Sequence, residues 1–329
     1  MHTLKNTLGS LIFISLLVSG ATSCSEQTPQ KTESISYSPI GPLLDKNYRV
    51  TGLYLSNGNA YLPIAGRADG PLRYAQISTA ERPASTYRIV DLLIPTDTNY
   101  KVVGTIFADG TSDRLYAPVV ATDRTSNVYT WLSYDTKSLT PVGPPLGNYS
   151  VPANPELQFA VRPPGFYKKT IYANYAGNLI GIDTSNGQQV FQKSGLLTPA
   201  QTTFSILENK ILTFSIDGDN MILIDMNTGD KKLIGESLSD LSGKGYKPTP
   251  FFVVSDGLVQ LLALGTESKP AICVINLQSA QQWQCKASDA PLPAGAQIIG
   301  FNADMGSGTL YFLTNSIMTG TQLYKIKQS

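Results

Sequence analysis

Beyond residue 46 the apolar residues fall in short runs bounded by Gly, Asn, Asp, Ser or Pro, with almost no helical recurrence. The middle of the chain is the clearest. Thr170-Ile171-Tyr172-Ala173-Asn174-Tyr175 is followed by Ala176-Gly177 and then by Asn178-Leu179-Ile180-Gly181-Ile182-Asp183. A Thr184-Ser185-Asn186-Gly187 turn leads into Gln188-Gln189-Val190-Phe191. The next stretch has the same order: Lys210–Ile216, the turn Asp217-Gly218-Asp219-Asn220, Met221–Asp225, the turn Met226-Asn227-Thr228-Gly229, and Asp230–Ile234. Both units therefore run strand, tight turn, strand ending in Asp, Gly-containing turn, strand.

Weaker copies flank these two. Val128–Asp135 enters a Thr136-Lys137-Ser138 turn, and a strand ending at Asn276 enters another turn. Asp135, Asp183, Asp225 and Asn276 thus recur about every 40–50 residues, a period that marks arrays of small sheets. Six units follow: 47–92, 98–143, 154–194, 201–236, 248–288 and 295–328. The last shows three clear strands, and Ser34-Ile35-Ser36-Tyr37 is the candidate for its fourth, closing a ring and covering an open sheet edge. The fold expected is all-β, a β-propeller of six blades, with seven the alternative because the first two units are long. A two-sheet sandwich fits the composition but not the repeat.

The segment from Tyr172 to Asp183, with Asn186-Gly187 after it, resembles the PQQ-type or YVTN-type propeller repeat. Phe191 and Leu233 stand where that repeat often carries Trp. The resemblance implies a scaffold and no quinone, so no cofactor is expected.

The N-terminus is of another kind. His2 and Lys5 precede the apolar run Leu11–Val18, then the small residues Ser19 to Ser23, then Cys24. The run is too short for a stable transmembrane helix and fits a secretory signal over 1–23. The small residues before Cys24 resemble a bacterial lipobox, with Ala21 where Leu is usual. That resemblance implies lipidation of Cys24 and anchoring to the envelope. Ser25 in place of Asp implies the outer membrane. Residues 24–45 are polar with scattered Pro and read as a flexible tether, leaving 46–329 for the propeller.

Composition narrows the chemistry. Lys+Arg 25 against Asp+Glu 24, with 15% charged residues, excludes a strongly basic nucleic-acid binder and a disordered tail protein. The single histidine is His2, which signal cleavage removes. A mature domain without histidine cannot build a Ser-His-Asp site, a Cys-His site or a His-ligated metal.

Apart from Cys24 the cysteines are Cys273 and Cys285, each six residues from Ser279, the centre of a candidate hairpin. Opposed positions in an exported protein suit a disulfide, the alternative being two buried thiols. The Asp-Gly and Asn-Gly pairs, Asp217-Gly218 among them, read as hairpin turns and not as calcium loops. No metal or catalytic residue is expected, and Trp131 and Trp283 read as packing between blades.

Three stretches read as long loops: 141–155, then Arg162 to Lys169, then 241–248. Arg162, Phe166, Tyr167, Lys168, Lys244 and Tyr246 combine aromatic and cationic character, which suits a protein-binding rim. The function expected is a lipid-anchored periplasmic scaffold for unidentified envelope proteins, similar in plan to the propeller lipoprotein of outer-membrane protein assembly. The alternative is a propeller hydrolase for carbohydrate or lactone, whose carboxylate chemistry needs no histidine.

Overall fold

The computed structural model describes residues 34–65, 71–80, 86–95, 99–108, 110, 112–122, 126–152, 165–279 and 282–328. The signal segment, Cys24 and Arg162 lie outside these residues. The described chain forms six antiparallel sheets arranged in a ring, a six-bladed β-propeller.

Blade one is β2 (Tyr54–Ser56), β3 (Asn59–Ile64), β4 (Leu72–Ser78) and β5 (Arg88–Leu92). Blade two is β6 (Tyr100–Val102), β7 (Phe107–Ala108), β8 (Arg114–Thr122), β9 (Ser126–Asp135) and β10 (Leu146–Pro152). Blade three is β11 (Gly165–Tyr167), β12 (Thr170–Tyr175), β13 (Asn178–Asp183) and β14 (Gln189–Ser194). Blade four is β15 (Phe204–Leu207), β16 (Lys210–Phe214), β17 (Met221–Asp225) and β18 (Lys231–Ile234), followed by α1 (Leu238–Gly243). Blade five is β19 (Lys247–Ser255), β20 (Leu258–Leu264), β21 (Pro270–Asn276) and β22 (Gln284–Ala287). Blade six is β23 (Gln297–Ala303), β24 (Leu310–Ser316), β25 (Gly320–Gln328) and, from the other end of the chain, β1 (Ile35–Leu44).

Burial explains the ring. One four-stranded sheet cannot cover both of its apolar faces, so each face needs a neighbour. Six buried clusters result, one between each pair of adjacent blades. The cluster of Leu53, Leu55, Leu62, Leu313 and Leu323 joins blade one to blade six and so completes the circle. The first strand of each blade is the inner one: β11 meets β15, β19 meets β23, and β2 meets β23. Close approach at this hub requires glycine. A Cβ on Gly165 would lie 2.8 Å from Phe204, and one on Gly300 would lie 2.9 Å from Leu53.

β1 pairs antiparallel with β25 from Ile35↔Gln328 to Ile40↔Leu323, then slips at a bulge before Leu44↔Thr321. Buried Gln322 fills the slip, its Nε2 donating to the carbonyls of Ile40 at 3.1 Å and Gly41 at 3.3 Å. The closing strand is longer than the four residues expected and occupies positions 35–44 of what reads as tether in the sequence. The ordered domain therefore begins well before residue 46.

Two further corrections concern loops. Leu146–Pro152 is the outer strand of blade two, not part of a Pro/Gly loop, so that unit ends later than 143. The stretch 241–248 opens inside a helix, for which Ser237 is the N-cap: its side chain accepts from the Asp240 N–H at 3.0 Å, while Leu238 and Leu241 are buried. Cys273 and Cys285 are directly paired on β21 and β22 and form a disulfide.

Candidate functional site

Each blade is a meander, so the turns after its first and third strands leave one end of the disc. The turn after the second strand and the connection to the next blade leave the other. We term these the turn end and the connection end.

The turn end is held by one repeated device. Asp135 accepts the N–H groups of Lys137 and Ser138 at 2.9 and 2.7 Å, and Asp183 accepts that of Ser185 at 2.7 Å. Asp225 accepts those of Asn227 and Thr228 at 2.8 and 3.1 Å, and Asn276 does the same for Gln278 at 2.8 Å. In blade one the Ser78 hydroxyl takes the position, accepting from the Ala80 N–H at 3.3 Å. The next residue then donates to the turn between the first two strands, as Thr184 does to Lys169 at 2.7 Å and Met226 to Asn209 at 2.7 Å. The Ser185 hydroxyl and then its N–H hold the Asp183 carboxyl below its ordinary range, and the turn N–H groups do the same for Asp135 and Asp225. The repeated Asp is thus a turn-former, not a ligand.

The connection end differs in character. Ile317 and Met318 form the tip of the β24–β25 hairpin, 86% and 81% exposed. Leu43, beside that hairpin on β1, Leu93 after β5, and Ile216 in the β16–β17 turn, 70% exposed, belong to the same end. Leu93 is fixed from below, because the Tyr134 hydroxyl donates to its carbonyl at 3.1 Å. Burial pushes that phenol up to about 12, so it keeps its proton. A cavity of about 560 Å³ also opens here, between the starts of β15 and β19, the β16–β17 turn and α1. Asp219 joins the turn to the helix: its carbonyl accepts from Leu238 N at 2.7 Å, and its Oδ1 from Ser239 N and Oγ at 2.8 and 2.6 Å.

The residues expected to form a binding rim are not brought together. Phe166 and Tyr167 lie on β11 instead of a loop, and both are half-buried. Phe166 packs on Tyr116 at a centroid distance of 6.4 Å, between blades two and three. Lys168 sits in the following turn with φ 54°, its Nζ 5.2 Å from the Tyr167 ring centroid. That is the turn end. Lys244 and Tyr246 belong to the connection end, where Lys244 Nζ pairs with Glu236 at 2.6 Å and Tyr246 packs half-buried against the core between blades four and five. Trp131 and Trp283 are buried in the cores between blades.

Asp217 and Asp219 are likewise occupied. Asp217 accepts from the Ser215 hydroxyl and the Asp219 N–H. Among the described residues no group of three or more His, Cys, Asp or Glu stands close enough to hold a metal ion. No described helix is long and apolar enough to cross a membrane. Sequence reasoning passed over the apolar hairpin tip; its signal was Ile317-Met318 in a turn, where polar residues and glycine are usual.

The class defined by this architecture is the six-bladed β-propeller. No family model and no curated protein matches the chain. Among solved structures it is similar to KlHsv2 with loop 6CD replaced by a Gly-Ser linker, at 9% identity and a TM-score of 0.43. That match covers 82% of this chain and 75% of the other, and it carries no argument about function.

Proposed function

We propose that the chain is a lipid-anchored, periplasm-facing propeller that binds envelope proteins through its connection end. The observation that carries this is the Ile317–Met318 tip, two adjacent large apolar side chains almost fully in water on an ordered hairpin. Burying a side chain of this kind is worth about 1.5–3 kcal/mol, so a partner that covers the tip gains directly.

The course of β1 supports the orientation. It starts at the turn end, where Ile35 faces Gln328, and finishes at the connection end, where Leu44 faces Thr321. A chain arriving from Cys24 joins the domain at the turn end. The residues between Cys24 and Ser34 span at most about 35 Å when extended. The resemblance of the N-terminus to a lipobox and of the repeat to PQQ- or YVTN-type propellers agrees with this plan.

The hydrolase alternative needs a carboxyl that keeps its proton near neutrality. Asp91, Asp113, Asp135, Asp183, Asp217, Asp225 and Glu267 are all shifted the opposite way, by turn N–H groups, hydroxyls or a paired cation. Two experiments test the proposal. Cys24→Ala should release the protein from membranes, and unchanged fractionation refutes the anchor. Affinity purification from crosslinked membranes should recover envelope proteins, and recovering none refutes the scaffold.

A further inference from the structure

The cavity between blades four and five is lined by many hydroxyl side chains, and several of their protons are already committed. Thr213 Oγ1 donates to the Thr203 carbonyl at 2.7 Å, and Thr249 Oγ1 to that of Leu262 at 2.6 Å. Ser242 Oγ donates to the Leu238 carbonyl at 3.0 Å and Ser239 Oγ to Asp219 Oδ1 at 2.6 Å. A hydroxyl that has donated its proton still offers lone pairs, so these four lining residues can serve a ligand as acceptors. Lys247 is the one ammonium in the lining and Asp219 the one carboxylate. Phe214, Pro248 and Pro250 supply apolar wall. The volume, about 560 Å³, lies within the range of small-molecule sites.

We propose that this cavity binds a saccharide without cleaving it. A ring of acceptor oxygens calls for a ligand that offers several donors in different directions. Sugar hydroxyls do so, and each can also accept from the Lys247 ammonium. The C–H faces of a sugar ring cover proline and phenylalanine walls. A peptide fits less well, because its carbonyl oxygens would need donors and Lys247 is the single charged one. Cleavage by the usual route requires two carboxyl groups flanking the bond, and the lining holds only Asp219, whose Oδ1 is committed to Ser239. The inference is independent of the anchor and of any protein partner.

The test uses the purified full chain and saturation-transfer NMR with glucose, N-acetylglucosamine and the β-1,4-linked disaccharides of each, and with trialanine for comparison. At least one saccharide should receive saturation. Ser242→Tyr, on the exposed face of α1, should fill the cavity and abolish the signal while leaving the melting temperature unchanged. Thr249→Val, which removes one of the four acceptor hydroxyls, should weaken binding by about threefold to tenfold, the loss of one hydrogen bond. Lys168→Ala at the turn end should bind as the unaltered chain does. The proposal is overturned if no saccharide is saturated, if Ser242→Tyr binds undiminished, if Thr249→Val binds unchanged, or if trialanine binds in place of the sugars.

Discussion

Asp225 condenses a whole turn into one side chain, and its counterparts do the same in neighbouring blades. Because the Ser185 hydroxyl and turn N–H groups lower the pKa of Asp183, and turn N–H groups those of Asp135 and Asp225, the folded protein binds fewer protons than the unfolded chain just below the ordinary value of 3.8. Their contribution is present above that value and is lost as pH falls through the lowered ones. Thermal melting should therefore drop on acidification below about pH 4. Asn276 shows that a neutral amide serves the same turn in blade five. Asp225→Asn should accordingly leave melting at neutral pH close to that of the parent and reduce the acid-induced drop; an undiminished drop would remove Asp225 from the explanation. At the closure the decisive residue is Gly320. Its φ is 106°, and a Cβ there would lie 2.2 Å from the Leu44 carbonyl oxygen, which is backbone and cannot swing away. Gly320→Ala should cost at least about 2 kcal/mol in chemical denaturation. Gly58→Ala, also at positive φ but with nothing within 4 Å, should cost less. Equal losses would mean that the packing of β1 on this hairpin is not what constrains the site.

At the scale of elements, the Cys273–Cys285 bridge joins the two outer strands of blade five across a sequence separation of 12. Closing so short a loop is worth at most about 3 kcal/mol. Reduction should lower the melting temperature by several degrees and leave the far-ultraviolet circular dichroism unchanged, because the register of β21 and β22 also rests on hydrogen bonds. Loss of the β signal on reduction would show the bridge to be a condition of folding. The register of these strands was legible from two cysteines equidistant from a turn. Blades three and four were legible too, since their third strands end in Asp and their turns are short. Blade two was not, for physical reasons. Its inner strand is split into β6 and β7, both paired to β8, and Gly147 and Pro152 sit in its outer strand. Such residues read as loop when pairing partners are unknown. The one α-helix among the described residues spans six residues, too few for periodicity to show. Ser237 ahead of Asp240, with Leu238 and Leu241 spaced for one face, was the available signal.

For the molecule as a whole, the ring was legible from the repeat, but its two ends were not. Which turn belongs to which end follows only from strand order, and that order separates Lys168 from Lys244 and Tyr246. Exposure is likewise a property of the assembled disc: Phe166 reads as a rim aromatic and packs half-buried against the core, whereas Met318 reads as an ordinary turn residue and is in water. The functional claim is that partners meet the connection end. The most direct measurement places a photo-crosslinking amino acid at Met318 in one variant and at Lys168 in another, and irradiates both in intact cells. The account predicts discrete crosslinked protein bands from position 318 and none from position 168. Bands from 168 alone, or from neither position, would contradict it.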